Sequence, residues 1–291
     1  MLKRTLDTEL KILYPFASNY LDINSNQYHY IDEGQGDPVL MVHGNPTWSF
    51  YYRNIASELK SNHRVVVPDH IGCGLSDKPQ DFEYTLKNHI DNLETLVKFL
   101  DLKNITLIVH DWGGAIGFGL ATRRPELIKN IVILNTAAFH LKKIPFTIGL
   151  CRNKIFGKFI VKNFNAFAWP ATFMTVKKPL TPAVKAGYLF PYDTPYNRVA
   201  VAEFVQDIPL EEDHRSYSEL KKIENKLKTL KCPKIILWGG KDFCFGDVFF
   251  KKWQEIYPDA YFKYYKDAGH YILEDEADDV ISNIKDFMER V

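Results

Sequence analysis

The stretch Ile105 to Ala121, ITLIVHDWGGAIGFGLA, constrains this chain more than any other. Ile105-Thr106-Leu107-Ile108-Val109 reads as a strand buried on both faces. The run stops at His110-Asp111-Trp112-Gly113-Gly114. Ala115, Ile116, Phe118, Leu120 and Ala121 then begin a helix-like apolar pattern. Strand, sharp turn, helix is the context that presents a catalytic nucleophile at the apex of a bend. Small residues after the bend let strand and helix approach closely. The apex position, where Ser is usual, is Asp111. A carboxylate attacks carbon directly, with no base needed to deprotonate it. Attack on an sp³ carbon leaves an alkyl ester on the enzyme. Taken alone, Asp111 is more simply a helix cap; its partners reverse that reading. With no Ser at the apex, a serine esterase is excluded at this bend.

Apolar runs recur along the chain. Asn26 to Gly34 alternates as an antiparallel strand and ends in a glycine turn. Pro38 to Val42, Arg64 to Val67, Asn130 to Asn135, Lys234 to Trp238 and Tyr261 to Tyr265 read as further strands. Tyr84 to Leu100 reads as an amphipathic helix, and Asp278 to Val291 as a closing helix. Strands alternating with helices predict a mostly parallel sheet covered on both faces. The alternation breaks between about Phe139 and Leu230, where helical spacing is interrupted by six prolines from Pro145 to Pro195. This stretch is expected to be an inserted helical cap. The expected division is a core of residues 1–138 and 231–291 with a cap of residues 139–230.

Sites on such sheets gather beyond the carboxyl ends of the strands. Asp242 and His270 each fall just past a predicted strand, in Trp238-Gly239-Gly240-Lys241-Asp242 and Asp267-Ala268-Gly269-His270. With Asp111 they give the order nucleophile, acid, base. His270 is expected to activate water, and Asp242 to fix its tautomer and stabilise the imidazolium. Asp247 is ranked below Asp242 because it lies further from its strand. Backbone N–H groups of Asn45 and Trp112 are expected to form an oxyanion hole. Their side chains, donors beside the attacking carboxylate, suit a leaving anion, either halide or carboxylate. The plainer alternative is that Trp112 packs and Asn45 shapes a turn.

Composition narrows the class. A net charge of +1 gives no reason to expect nucleic acid. Four cysteines lack metal spacing, which predicts a reduced, cytoplasmic chain without a disulfide framework. No metal and no organic cofactor is implied. The amino-terminal MLKRTLDTELKILYPF reads as neither signal peptide nor spanning helix.

His43-Gly44-Asn45-Pro46-Thr47-Trp48-Ser49-Phe50, Asp77-Lys78-Pro79, His110-Asp111-Trp112-Gly113-Gly114 and Asp267-Ala268-Gly269-His270 resemble the haloalkane dehalogenase branch of the α/β-hydrolases. The resemblance implies an eight-stranded α/β-hydrolase sheet flanked by helices, with the Asp111, Asp242 and His270 triad and the Asn45–Trp112 pair. The runs Trp48 to Arg53, Asp69 to Pro79 and Arg198 to Leu210 more closely resemble the β-lactone decarboxylases of bacterial long-chain olefin biosynthesis. That resemblance implies conversion of a cis-β-lactone with two long alkyl chains to a cis-alkene. It also implies assembly with the β-lactone synthetase and reductase of the pathway.

A haloalkane dehalogenase is the first alternative, and an epoxide hydrolase the third reading. Asn45 stands where epoxide hydrolases usually carry an aromatic residue. A catalytically dead binder is the non-enzymatic alternative, and the presence of all three catalytic residue types argues against it. Phe139, Ile144, Phe146, Phe164, Phe167, Trp169, Phe173, Tyr188 and Phe204 are candidates to line a hydrophobic substrate slot, though each taken singly reads as ordinary core. Lys142, Lys143, Arg152, Lys154, Lys158 and Lys162 form a basic face. A solvated surface is its plain reading; docking to a membrane surface or a partner enzyme is the sharper one, because the substrate barely dissolves.

Overall fold

The structure, a computed structural model, describes residues 8–142 and 144–291. Lys143 of the expected basic face lies outside the described residues, as do the first seven residues of the amino-terminal stretch.

Eight strands form one sheet in the order β1-β2-β4-β3-β5-β6-β7-β8. They are β1 (Asn19–Ile23), β2 (Asn26–Glu33), β3 (Pro38–Val42), β4 (Arg64–Pro68), β5 (Ile105–Asp111), β6 (Ile128–Thr136), β7 (Lys234–Gly239) and β8 (Tyr261–Tyr265). Strand β2 runs antiparallel to both neighbours, and β3 to β8 are parallel. This is the mostly parallel eight-stranded sheet expected. Strand β1 was not expected. Its sequence, NYLDI, is half-exposed at the sheet edge and carries little apolar signal. It is held by a tight turn at Asn24 and Ser25, both at positive φ, where short polar side chains are tolerated best.

The helices are α1 (Thr8–Leu13), α2 (Arg53–Leu59), α3 (Leu86–Phe99), α4 (Trp112–Arg123), α5 (Phe146–Cys151), α6 (Phe156–Phe164), α7 (Ala168–Met174), α8 (Pro182–Leu189), α9 (Val199–Gln206), α10 (Tyr217–Lys226), α11 (Asp247–Ile256), α12 (Ile272–Asp275) and α13 (Ala277–Arg290). Because side chains alternate across a strand, the continuous apolar runs serve two cores. Leu40, Val42, Leu107, Val109, Ile131 and Ile133 pack with α3, α4 and α11. Val39, Met41, Ile108, Val132 and Leu134 face the other way, toward α1, α2 and α13. Burying each such side chain stabilises the fold by about 1.5–3 kcal/mol.

Between β6 and β7 the described residues hold helices α5 to α10 and no strand. These helices lie within the stretch expected to form the cap. Among the described residues, no helix is long and apolar enough to cross a membrane.

Candidate active site

The bend after β5 has the shape its sequence demands. Asp111 adopts φ 52° and ψ −129°, a conformation costing of the order of 1–3 kcal/mol for a residue with a side chain. Its surroundings enforce it. The Thr136 hydroxyl donates to the Asp111 carbonyl. A Cβ on Gly113 would stand 1.9 Å from the Val42 carbonyl oxygen, and one on Gly114 would stand 1.9 Å from the Thr136 hydroxyl. Only glycine permits so close a crossing of β3, β5 and α4. Asp111 also sits at the amino end of α4, where the helix dipole favours a negative charge.

The three residues expected to act together converge. His270 Nδ1 lies 2.8 Å from Asp242 Oδ2, and its Nε2 lies 3.6 Å from Asp111 Oδ2. The second distance exceeds an ordinary hydrogen bond, so charge proximity links those two groups. Asp242 is anchored through its other oxygen, which accepts the Cys244 and Phe245 N–H groups at 2.6 and 3.0 Å. Asp247 heads α11 instead, and its carboxylate accepts the Tyr264 hydroxyl at 2.7 Å.

Burial alone would lower the His270 pKa, but the Asp242 and Asp111 carboxylates outweigh it and push it up to about 10. Burial would likewise raise Asp111. The adjacent His270, with help from His110 and the Asn45 N–H, holds its carboxyl below the usual range. The two flanking carboxylates thus bias His270 toward its imidazolium form.

Asn45 and Trp112 flank the carboxylate, but their surroundings differ from expectation in one respect. The Asn45 backbone N–H donates to Asp111 Oδ1 at 2.6 Å, so it is aimed at that carboxylate itself. One amide hydrogen of its side chain goes to the Val201 carbonyl at 3.1 Å, leaving a second donor. The Trp112 indole packs against Phe204, with ring centroids 5.4 Å apart. Its N–H has no hydrogen-bond partner among the described residues. Val201 and Phe204 both belong to α9, so a single helix of the inserted segment backs both donors.

Asp111, Asn45, Trp112 and His270 open into a cavity of about 200 Å³. Its wall is mostly apolar. Of the candidate lining residues, Phe139, Ile144 and Phe167 are there. Phe146, Phe164, Trp169 and Phe173 are not; their side chains turn outward and are at least half exposed. Tyr188 is buried against Glu274, and Phe204 lies behind Trp112. Aromatic spacing identifies a helix but not which face the cavity takes. Phe243, Phe245 and Phe249 complete the wall; their signal was the phenylalanine cluster directly after Asp242.

Two further groups position the triad without having been singled out. His110 donates from Nε2 to the His270 carbonyl at 2.9 Å, and its ring stacks on Tyr51. Asp275 accepts the Gly269 N–H at 2.7 Å and the Lys177 and Lys178 N–H groups at 2.8 Å each.

Asp242, Cys244 and His270 bring potential metal ligands within 4.8 Å of one another. Asp242 and His270 are already bonded to each other, and burial pushes the Cys244 thiol well up. That set suits a hydrogen-bonded pair better than a cation.

Comparison with known proteins agrees with this architecture. The alpha/beta hydrolase fold family matches residues 37–277. The chain is 51% identical over 287 residues to the cis-3-alkyl-4-alkyloxetan-2-one decarboxylase of Shewanella oneidensis, covering 96% of this chain and 90% of that protein. It is 38% identical over 292 residues to the decarboxylase of the same name from Xanthomonas campestris, covering 95% and 97%. Haloalkane dehalogenase 2 of Mycobacterium tuberculosis is 30% identical over 285 residues, covering 94% and 95%. Among solved structures, the haloalkane dehalogenase DatA of Agrobacterium tumefaciens superposes with a TM-score of 0.85 at 25% identity, covering 94% of this chain and 96% of that one. The chain belongs to the α/β-hydrolase family, in the branch that holds the haloalkane dehalogenases and the cis-3-alkyl-4-alkyloxetan-2-one decarboxylases.

Proposed function

We propose that this protein decarboxylates cis-β-lactones bearing two alkyl chains to cis-alkenes. The observation that carries the proposal is the full-length similarity to two decarboxylases at 51% and 38% identity, against 30% for the dehalogenase. The apolar cavity above Asp111 suits an alkyl-bearing substrate.

In this reading residues 1–138 and 231–291 are the catalytic core, and residues 139–230 are the cap that closes over it. Asp111 attacks the ring carbon bearing the alkoxy oxygen. The C–O bond breaks with inversion, leaving an alkyl ester on Asp111 and a free carboxylate on the neighbouring carbon. The remaining Asn45 side-chain N–H and the Trp112 indole N–H receive that carboxylate. The bond to the carboxyl carbon then breaks. Its electron pair forms the alkene, carbon dioxide departs, and Asp111 leaves as a carboxylate. Inversion followed by anti elimination retains the cis geometry of the ring. No water and no net proton enter.

His270 then has a different task from the one expected at first. Hydrolysis of an alkyl ester would require a neutral imidazole to activate water. Expulsion of Asp111 is favoured by a cation beside it, and the two carboxylates hold His270 as that cation. Asp242 keeps the ring oriented through Nδ1.

Assembly with a β-lactone synthetase and a reductase, a cytoplasmic setting and a peripheral membrane contact complete the proposal. Four free cysteines fit a reducing compartment. The test is gas chromatography of products after incubation with a cis-β-lactone. A cis-alkene is expected. Halide release from short haloalkanes, with no alkene from the lactone, would instead identify a dehalogenase.

A further inference from the structure

Charge is distributed very unevenly along this chain. Residues 127–192 contain ten Lys and Arg and no Asp or Glu, although the whole chain is only +1. Nine of the ten, all but Lys129, lie in the segment between β6 and β7. Within that span α5, α6 and the turn joining them expose an apolar surface. Phe146 is 79% exposed, Ile155 85% and Phe164 71%, with Phe156 and Phe159 more than half exposed. Gly157 and Val161 form the buried side of α6. The helix therefore turns its aromatic side outward, the reverse of an ordinary surface helix. Lysines flank it. Lys142 and Lys154 have no ion-pair partner among the described residues, and Lys162 reaches only the neutral Gln80 amide.

We propose that the α5–α6 face docks this protein onto an anionic phospholipid surface. Exposed phenylalanines interleaved with lysines fit the boundary between acyl chains and headgroups. The core of a protein interface is depleted in lysine, so a bilayer matches this face better than a second protein. The position also serves the cavity. Thr147, Ile148 and Cys151 of α5 line it from within, while Phe146 and Leu150 of the same helix face out. Helix α5 thus has one side on the cavity and another on the docking face. Docking rests on the surface alone and holds whichever substrate the site takes.

Flotation with vesicles tests it. The full chain is mixed with vesicles of phosphatidylglycerol and phosphatidylcholine, or of phosphatidylcholine alone. Binding to the anionic vesicles that weakens with added salt is expected. The double substitution Phe156→Ser/Phe159→Ser should abolish flotation. Lys142→Gln/Lys154→Gln/Lys162→Gln should lower partitioning on the order of 100-fold. Both variants should keep the melting temperature and their turnover of detergent-dispersed substrate. Failure of the wild-type chain to float would overturn the proposal, as would flotation that ignores both sets of substitutions. A wild-type dimer that the phenylalanine substitutions dissolve would also overturn it, by showing that a second copy covers the face.

Discussion

In the proposed mechanism the Asp111 carboxylate is the one group whose chemistry no neighbour can supply. Asp111→Asn changes neither size nor shape, so the bend should survive. We expect alkene formation to fall by a factor on the order of 10⁴ or more, with stability lowered by no more than about 1 kcal/mol. Product analysis beside a thermal melt checks both halves; retained turnover would remove Asp111 from the mechanism. The pH profile separates the two tasks open to His270. The dependence of kcat/KM on pH reports groups of the free enzyme, where Asp111 titrates below its usual range and His270 near 10. If His270 acts as a cation, kcat/KM is flat through neutrality and falls as pH rises through about 10. If it acts as a base, kcat/KM climbs over the same interval. Stability has the first sign as well. A histidine raised from 6.5 stabilises the fold fully below that value, and the contribution is lost as pH rises through about 10.

The strand–bend–helix element shows which parts of this protein a sequence displays. Gly113 and Gly114 are visible as small residues, yet the reason for each is a partner far along the chain, Val42 or Thr136. Gly113→Ala should therefore cost roughly 3 kcal/mol, since the obstacle is backbone and cannot rotate away. Gly149→Ala in α5 is the control. Its built Cβ meets only Ile144 Cδ1 at 3.8 Å, so helix propensity should raise stability by about 0.5–1 kcal/mol. Urea denaturation of the two variants gives the comparison. The long apolar runs β3, β5, β6 and β7 were legible because both their faces are buried. Strand β1 was not, because an edge strand with one half-buried face carries little periodic signal. Likewise, Asp111, Asp242 and His270 could be placed from where strands end. Phe146, Phe164, Trp169 and Phe173 were misassigned because a short helix with aromatics on several sides does not announce which side meets the cavity. His110 acts through its ring N–H on a carbonyl 160 residues away, and nothing in local sequence signals such a bond.

At the scale of the molecule, the helical segment must be held against the sheet firmly enough to keep the cavity's walls in place around Asp111 and His270. One buried cluster joins the two. Glu274, four residues beyond His270, receives a bidentate pair from Arg53 of α2 at 2.6 and 2.9 Å. The Tyr188 hydroxyl of α8 donates to the same carboxylate. The Arg53 and Glu274 side chains are only 5% and 7% exposed, so neither charge can turn to water if its partner is removed. Glu274→Ala should thus cost about 3–5 kcal/mol, most of it the penalty of leaving the Arg53 guanidinium buried without a counter-charge. Tyr188→Phe leaves that ion pair intact and deletes one hydroxyl, so about 1 kcal/mol is expected. The double variant discriminates further. If Tyr188 contributes mainly through Glu274, removing both should cost little more than Glu274→Ala alone; residues that share a partner do not add. Equilibrium denaturation of the three proteins measures the coupling. Strict additivity would mean that α8 is held by its other contacts, the Trp48 indole N–H on the Gly187 carbonyl and packing against Phe50 and Tyr271, and that the carboxylate serves only α2.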